Sequence, residues 1–285
     1  MSETRRGPQI LVVGAVTEDR FGDETRPGGA VLYAARALEA LGIRARVLVS
    51  APAGFEADAL AAHEHMCVPG DSGLRFAHDA TGDERRLRVL SRPDRPLNAS
   101  DLPDHWRDPD VLILGPLLPD DIDIASFAEL TIPRITLLAQ GLQRSVAPDG
   151  AVTLLGEPGP ALLAACDART SLFLSSAEVA PWPDGAVEDL AAACARVVVT
   201  RGASGADVYR AGEEPLHIAA APATPVDTTG AGDAFAASFA AALACGANDE
   251  RAGALAARVA AATVERVGPA PLPPVEASEG VARWA

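Results

Sequence analysis

Short runs of β-branched and other apolar residues alternate with longer Ala- and Leu-rich segments through most of this 285-residue chain. This alternation is typical of strand–helix–strand units built around a mostly parallel sheet. It predicts strands at 9–14, 44–50, 111–114, 134–138, 172–174 and 196–200. It predicts helices at 29–41, 56–65, 187–193, 230–245 and 249–266. Hydrophobic residues make up 48% of the chain, enough for a large core, so we expect one α/β domain over residues 1–285.

One loop of small residues carries a carboxylate to the start of a predicted helix. Residues 227–235 read Asp-Thr-Thr-Gly-Ala-Gly-Asp-Ala-Phe and run directly into an Ala-rich segment. Gly230, Ala231 and Gly232 would present unpaired backbone N–H groups there, and glycine lets an anion approach them closely. Asp233 could then accept the proton of a substrate hydroxyl while the hydroxyl oxygen attacks a bound phosphoryl group.

The same loop has a plainer interpretation. Asp227 and Thr228 would cap the helix, and the glycines would only turn the chain, as in many loops. A lone Gly-x-Gly would favour that interpretation. Here nine consecutive residues fit one mechanism, and a second glycine motif lies near the N-terminus, so the sequence favours a phosphate site.

The basic residues narrow the choice of phosphate chemistry. All 24 of them are Arg, because the sequence contains no Lys. A P-loop needs a Lys on the β and γ phosphates, and a protein kinase needs a strand Lys paired with a Glu, so both are excluded. Schiff-base chemistry is excluded for the same reason. Phosphoryl transfer must therefore use metal, helix dipole and arginine.

Charge and hydropathy point to a small-molecule substrate. The formal net charge of −15 opposes binding to nucleic acid or to an anionic membrane. No stretch approaches the roughly 20 apolar residues of a membrane span, and no basic segment with a long apolar run opens the chain. The four cysteines lack metal-ligand spacing and are expected to be small buried hydrophobes in a reducing cytosol. We therefore expect a cytoplasmic protein.

A His-Glu-His-x-Cys stretch offers metal-ligand chemistry over a short distance in sequence. It comprises His63, Glu64, His65 and Cys67. On the predicted helix 56–65, side chains two residues apart diverge by roughly 200° and cannot easily share one ion. We therefore expect no metal site there.

The motifs together resemble the ribokinase-like (PfkB) kinase family. Residues 227–235 resemble its C-terminal signature, which implies that Asp233 is the catalytic base and that Gly230, Ala231 and Gly232 form the anion hole. The resemblance implies a three-layer α/β/α fold with a mostly parallel central sheet and a small β lid. The lid would be formed by residues 16–27 and 73–92, the second of which alternates like a hairpin with a turn at 81–84.

The resemblance also assigns the nucleotide side of the site. Residues 197–206 are similar to the family's strand and turn beside the nucleotide. The residues implied for ATP binding are Thr200, Gly202, Gly205, Thr228, Gly230, Gly232 and Gly268. The stretch 175–178 matches the family's Asn-x-x-Glu motif with Ser175 in place of Asn, which implies that Glu178 organises Mg²⁺ through water. The alternative is a helix cap in which Glu178 completes a capping box, and both interpretations can hold together.

A monovalent cation, K⁺, is implied beside the anion hole at Asp227 and Thr229. Such a cation would stiffen that loop. The spacing of the residues alone does not predict this cation site, so the prediction depends on the resemblance to the family.

On the acceptor side, the family places paired glycines where Gly28 and Gly29 open a predicted helix, and these would line the substrate pocket. Asp19 is the candidate for accepting hydrogen bonds from two adjacent hydroxyls, against the alternative of a solvated acid in a turn. Tyr33 stands where the family commonly has Asn, which makes it a further candidate substrate-binding residue.

The middle of the chain resembles the myo-inositol kinase-like branch. Residues 140–144 read Gln-Gly-x-x-Arg, which makes Gln140 and Arg144 candidate substrate residues. Arg144 would contact phosphate or a substrate oxyanion, or would instead pair with Asp149 at the surface.

These observations predict an ATP-dependent kinase that phosphorylates a hydroxyl of a small polyol, either a sugar or a cyclitol such as an inositol. Two alternatives stay open. A nucleoside kinase would need a flat aromatic slot, which is hard to build with 4% aromatic residues. A non-catalytic sugar or nucleotide sensor would not require Asp233. The short lid suggests that a second copy of the chain completes the cover, as a homodimer.

Overall fold

The computed structural model describes residues 7–276 except 69, 71, 82 and 83. The strands are β1 (Ile10–Ala15), β2 (Thr17–Phe21), β3 (Glu24–Gly28), β4 (Arg46–Ser50), β5 (Glu64–Val68), β6 (Leu74–Thr81), β7 (Glu84–Ser91), β8 (Val111–Gly115), β9 (Ile135–Leu138), β10 (Arg144–Val146), β11 (Val152–Leu154), β12 (Thr170–Ser175), β13 (Arg196–Thr200), β14 (Ala206–Tyr209) and β15 (Leu216–Ile218). The α-helices are α1 (Ala30–Ala40), α2 (Ile124–Ala128), α3 (Pro160–Ala164), α4 (Ser176–Val179), α5 (Ala186–Ala193), α6 (Ala231–Ala244) and α7 (Asp249–Val264).

The central sheet has the order β15-β14-β13-β12-β9-β8-β1-β4-β5. The pairs from β13 to β5 are parallel, and β14 and β15 add an antiparallel edge. All six predicted strands belong to this sheet, displaced by at most a few residues. The prediction of a mostly parallel sheet is therefore confirmed.

Both faces of this sheet are buried. Along β1, Ile10 and Val12 belong to one apolar cluster, while Leu11 and Val13 belong to another. The first cluster contains the buried faces of α1, α6 and α7, and the second contains residues of α2, α3 and α5. Since successive side chains of a strand point to opposite faces, the sheet lies between two helical layers. This confirms the predicted α/β/α layering.

The helix predicted at 56–65 is wrong. Ala57–Leu60 forms a single 3₁₀ turn, and the chain then runs into the edge strand β5. His63 fixes this change of direction: the Ala45 N–H donates to its Nδ1 (3.1 Å), and its Nε2 lies 2.9 Å from the Ala35 carbonyl oxygen. A buried imidazole with both nitrogens occupied is a core residue, and burial lowers its pKa.

Among the described residues, no group of three or more His, Cys, Asp and Glu side chains is placed to hold a metal ion. Cys166 and Cys245 are only partly buried and Cys67 is exposed on the edge strand β5, so of the four cysteines predicted to be buried only Cys194 is. Edge strands leave one side uncovered, which explains the exposure of Cys67.

In the described part of the chain, no helix has both the length and the apolar character needed to cross a membrane.

A second sheet of order β3-β2-β6-β7, here called the lid sheet, is formed by the two segments predicted for the lid. The predicted hairpin is present as the antiparallel pair β6–β7, while residues 82 and 83 of its predicted turn lie outside the described residues. Single residues join the hairpin β2–β3 to the core. Val16, whose N–H donates to the Ser50 carbonyl (2.8 Å), follows β1, and Gly29 precedes α1.

Candidate active site

A cavity of about 690 Å³ opens at the carboxyl ends of β9, β12 and β13. In parallel sheets this edge is where connecting loops gather around ligands. The N-terminal turn of α6 and the segment 220–225 complete the walls. Ten of the predicted site residues line the cavity: Gln140, Glu178, Thr200, Gly202, Gly205, Thr228, Gly230, Ala231, Gly232 and Asp233.

Asp233 lies in the first turn of α6 and is half-buried at the cavity wall. Burial raises the pKa of its carboxyl to about 7, the negative charge of Glu178 adds to the rise, and the positive charge of Arg144 opposes it. A carboxylate with a pKa near neutrality holds a proton more strongly than an exposed aspartate does. Such a group is suited to general-base work at neutral pH.

The residues 228–232, here called the anion loop, turn directly into this helix. Gly230 is the N-cap and has φ 76°, in the left-handed region that favours glycine. A Cβ at Gly230 would also overlap the ring of Tyr33, which packs against the loop from α1. Gly232 is different, because it is exposed and a Cβ there would meet no atom within 4 Å. The Ala231 N–H donates a long hydrogen bond to the Thr228 carbonyl (3.5 Å), and the following N–H groups of the first turn of α6 are the donors that a helix start leaves for an anion.

Glu178 performs the capping role and also lines the cavity. Its Oε2 accepts a hydrogen bond from the Ser175 N–H (2.6 Å), and its own N–H donates to Ser175 Oγ (3.4 Å). This reciprocal pair is a capping box at the junction of β12 and α4. Burial raises the pKa of Glu178. The cap fixes the direction in which the carboxylate enters the site.

Asp227 holds the anion loop from behind, outside the cavity lining. Its Oδ1 accepts from the Thr229 N–H (3.0 Å), and its Oδ2 accepts from the Gly268 N–H (3.1 Å). These hydrogen bonds lower the pKa of Asp227. Gly268, predicted to bind nucleotide, is thus used to tie the end of α7 to the loop and does not line the cavity.

The remaining predicted acceptor residues lie toward the lid sheet. Asp19 lies on β2 and is 9% exposed. Gly28 makes room for it, since a Cβ at that position would overlap Asp19 Oδ2. Gly29 has φ 102°, and a Cβ there would overlap the Ala15 carbonyl oxygen. The paired glycines are therefore required by the packing of the lid sheet onto β1.

Arg144 links the lid sheet to the cavity. Its Nη1 donates to the Leu117 carbonyl (2.7 Å) and its Nη2 donates to Gln140 Oε1 (2.7 Å). Its Cζ lies 5.6 Å from the centroid of the Phe76 ring. Asp149, the alternative partner weighed from the sequence, lies 3.6 Å from Arg88 instead. Arg144 therefore points into the protein, toward the charges of Glu178 and Asp233.

A sequence profile of the pfkB family carbohydrate kinases matches residues 172–275, which carry Glu178, the anion loop and α6. The inositol 3-kinase of Zea mays is 36% identical over 197 residues, covering 67% of this chain and 49% of the maize protein. The inositol 3-kinase of Oryza sativa subsp. japonica is 30% identical over 282 residues, covering 90% of this chain and 68% of the rice protein. The chain belongs to the pfkB family of carbohydrate kinases.

This pfkB family member spans about half the length of the maize relative. A solved pyrophosphate-dependent myo-inositol-1 kinase, converted by mutation into a myo-inositol-3 kinase, has the same fold. The TM-score is 0.74 at 17% identity, with 92% of this chain and 95% of that chain covered. This likeness confirms the ribokinase-like fold predicted from the motifs.

The residues of this pfkB family site suit magnesium bound together with phosphate. The carboxylates of Glu178 and Asp233 both line the cavity, and carboxylate oxygen is the donor type that Mg²⁺ prefers. One Glu178 oxygen is already bonded to the backbone, and the described residues offer no cluster that would hold a metal alone. A magnesium ion here would need phosphate oxygens and water for most of its ligands.

One buried acid near this site belongs to none of the sequence motifs. Asp121 is 4% exposed, its Oδ2 accepts from the Leu117 N–H (2.8 Å), and burial raises its pKa to about 7. Its charge acts on Arg144, whose Nη1 bonds to the carbonyl of the same Leu117. The sequence shows only two adjacent acids after a Pro, which is also the pattern of a solvated turn. The residues around Asp121 in the sequence do not distinguish a buried acid from a solvated turn.

Proposed function

We propose that this protein is an ATP-dependent kinase that phosphorylates a hydroxyl of a small cyclic polyol, with an inositol as the favoured acceptor. The observation that carries the proposal is Asp233, whose pKa is raised to about 7 in the first turn of α6 beside the anion loop. The two inositol 3-kinases matched by the chain support the choice of acceptor. The packed lid sheet next to the cavity supports a small acceptor rather than a polymer.

The cavity walls support a nucleotide as donor. Beyond the anion loop they are formed by small apolar residues: Ala220, Ala221, Pro222, Ala223, Pro225, Ala257, Ala260, Ala261 and Val264. Pyrophosphate has no apolar part that could contact such a surface, whereas the base and ribose of a nucleotide would bury it. Thr200, Gly202 and Gly205 line the same side, as the family resemblance predicts for ATP.

In this mechanism Asp233 accepts the proton of the acceptor hydroxyl. The hydroxyl oxygen forms a bond to the γ-phosphorus, and the bond from that phosphorus to the β–γ bridging oxygen breaks. The bridging oxygen keeps the electron pair and leaves with ADP. The N–H groups of the anion loop and the positive end of α6 stabilise the negative charge of the phosphoryl group in transfer. Arg144 supplies a fixed positive charge nearby.

Mg²⁺, when bound with ATP, would neutralise phosphate charge, and Glu178 would hold it through water. We place K⁺ at Asp227 and Thr229, where a cation would stiffen the anion loop. A cytosolic location and a homodimer stay predictions from the sequence.

The test is an acceptor panel. Purified protein with Mg²⁺ and either ATP or pyrophosphate is offered inositol isomers, ribose, fructose-type sugars and nucleosides, and product is followed as ADP or phosphate release. We expect turnover with ATP and an inositol above the hydrolysis rate without acceptor. Turnover restricted to nucleosides would contradict the acceptor, turnover restricted to pyrophosphate would contradict the donor, and ATP binding without any turnover would indicate a sensor.

A further inference from the structure

The inner face of the lid sheet brings polar and aromatic side chains together. β2 and β6 pair in parallel, with Asp19 opposite Phe76 and Phe21 opposite His78. Because side chains alternate along a strand, Thr17, Asp19 and Phe21 share one face with Phe76 and His78. Phe76 is 4% exposed and contacts Arg144, so this face is the one turned toward the site.

Three polar atoms on this face are buried and have no hydrogen-bond partner within the described part of the chain. They are Thr17 Oγ1, Asp19 Oδ1 and His78 Nε2. Leaving a buried polar atom without a partner destabilises the folded protein, so such atoms are rare and usually have a functional reason. Three of them on one lid face indicate a ligand that supplies the missing hydrogen bonds.

The spacing of these atoms suits hydroxyl groups. His78 Nε2 lies 3.8 Å from Asp19 Oδ1, which is too long for a direct hydrogen bond. One hydroxyl between them could donate to Asp19 and accept from the imidazole N–H. Thr17 Oγ1 and Asp19 Oδ2 converge over Gly28, where a Cβ would overlap both. A neighbouring hydroxyl of the same ring could therefore bond to Thr17.

Stacking on Phe21 orients the His78 ring. Its centroid lies 4.4 Å from that of Phe21 at an interplanar angle of 12°. Arg26 covers Phe21, with its Cζ 5.4 Å from the ring centroid. The stack fixes the plane of the imidazole and leaves its Nε2 edge for a ligand.

This face is near the proposed base, because Phe76 on it contacts Arg144. The charges of Asp19 and Asp233 both act on Tyr33 and on Arg144, so the two carboxylates lie near the same pair of side chains. A small ring held by the lid sheet could therefore present another of its hydroxyls to Asp233.

We propose that His78 and Thr17 determine acceptor specificity: His78 Nε2 and Asp19 Oδ1 share one hydroxyl, and Thr17 Oγ1 binds an adjacent one. The site would then select cyclic polyols whose neighbouring hydroxyls have one relative configuration. This inference rests on the proposed function, and it gives a role to two side chains of the lid segments to which the sequence motifs assign none.

The test compares H78L, H78Q and T17V with H105Q, a control at an exposed histidine away from the cavity. KM and kcat are measured for the best inositol and for its monodeoxy analogues, with calorimetric binding of the inositol as a second readout. Loss of one hydrogen bond should raise acceptor KM about 3- to 10-fold in H78L and T17V, with the KM for ATP unchanged. H78Q keeps an N–H donor and should lie closer to wild type than H78L.

The analogues provide the decisive comparison. For one deoxy analogue the wild type should lose affinity, while H78L should bind the analogue and the parent equally well, because the hydrogen bond is already missing. An H78L variant that loses the same factor with every analogue, or keeps the wild-type KM, would overturn the inference while the proposed function stands. Wild-type protein that neither binds nor phosphorylates any polyol would overturn both.

Discussion

The aromatic ring of Tyr33 on α1 lies directly against the backbone of Gly230 at the N-cap of α6, leaving no space for a Cβ. Tyr33 was predicted as a substrate residue from its place after the paired glycines. Its observed contact is with the anion loop, and it is 4% exposed. The helix that begins at the lid sheet therefore supports the anion loop through this ring.

Substitution by alanine should affect stability differently at two glycines of the anion loop. G230A introduces a side chain at φ 76° and into the Tyr33 ring, so we expect a loss of about 1–3 kcal/mol in the free energy of unfolding, together with loss of activity. G232A lies in the first turn of α6 with open space around it, so its stability should be unchanged or higher by about 0.5–1 kcal/mol.

G232A should nevertheless lower kcat/KM for ATP, because the new methyl group would stand where phosphate approaches the loop. Denaturant unfolding and steady-state kinetics on both variants separate the two roles. A G232A variant that retains the wild-type kcat/KM for ATP would show that the anion does not approach this glycine.

Replacing Asp233 by Asn should remove the base while preserving the shape of the side chain. We expect kcat to fall by a factor on the order of 10²–10⁴, with the acceptor KM changed little. D108N, at an exposed acid away from the cavity, is the matched control. Near wild-type turnover in D233N with an unchanged fold would show that another group accepts the proton.

The raised pKa of Asp233 predicts how activity depends on pH. Because only the carboxylate can accept a proton, kcat/KM should rise with pH and level off above about 7. The charge of Glu178 contributes to this raised pKa, so E178Q should shift the midpoint of the profile to lower pH. A midpoint that is the same in E178Q and wild type would argue that Asp233 is not the titrating group.

The raised pKa of Asp233 also affects stability. Activity should rise with pH, whereas the contribution of this carboxyl to stability should fall. A carboxyl whose pKa rises from 3.8 to about 7 on folding stabilises the protein fully only below its unfolded pKa, and this contribution is lost as pH rises through 7. Asp121 acts in the same direction. The free energy of unfolding should therefore fall less between pH 5 and pH 8 in D233N than in wild type. An equal fall in the two proteins would contradict the shift.

The capping role of the Ser175–Glu178 pair can be separated from the proposed magnesium role of Glu178 by substitution. S175A removes the side-chain cap of α4 and should cost about 1 kcal/mol of stability while leaving the magnesium requirement near wild type. E178Q keeps a capping-box side chain and loses the charge, so the Mg²⁺ concentration for half-maximal activity should increase severalfold. Magnesium titrations of both variants give the comparison. A larger magnesium effect in S175A than in E178Q would reverse the assignment.

The centre of the fold could be predicted from the sequence because parallel strands buried on both faces are continuous apolar runs. Val111–Gly115 and Arg196–Thr200 carry that signal plainly. The edge strand Glu64–Val68 does not, since four of its five residues are exposed and two polar residues are followed by three apolar ones, with no alternation. Its local sequence fits a helix as well, and only pairing with β4 and the hydrogen bonds of His63 decide the matter.

The candidate site likewise has one part that the sequence predicts and another part that it does not. Asp233, the anion loop and Glu178 are each part of a short local motif, and the structure brings them to one cavity. Thr17 and His78 come from segments about sixty residues apart in the sequence. They share one face of the lid sheet only because β2 and β6 pair in parallel in one particular register. That register depends on tertiary packing, so the motifs could not reveal it.

The single residues that join the β2–β3 hairpin to the core limit how the acceptor region can evolve or be engineered. Val16 is buried and hydrogen-bonded to Ser50, and Gly29 has no tolerance for a side chain. Without a linker on either side, this hairpin cannot be exchanged as an independent module for that of another kinase. Changes of substrate preference would have to come from individual side chains on its inner face, with the backbone retained.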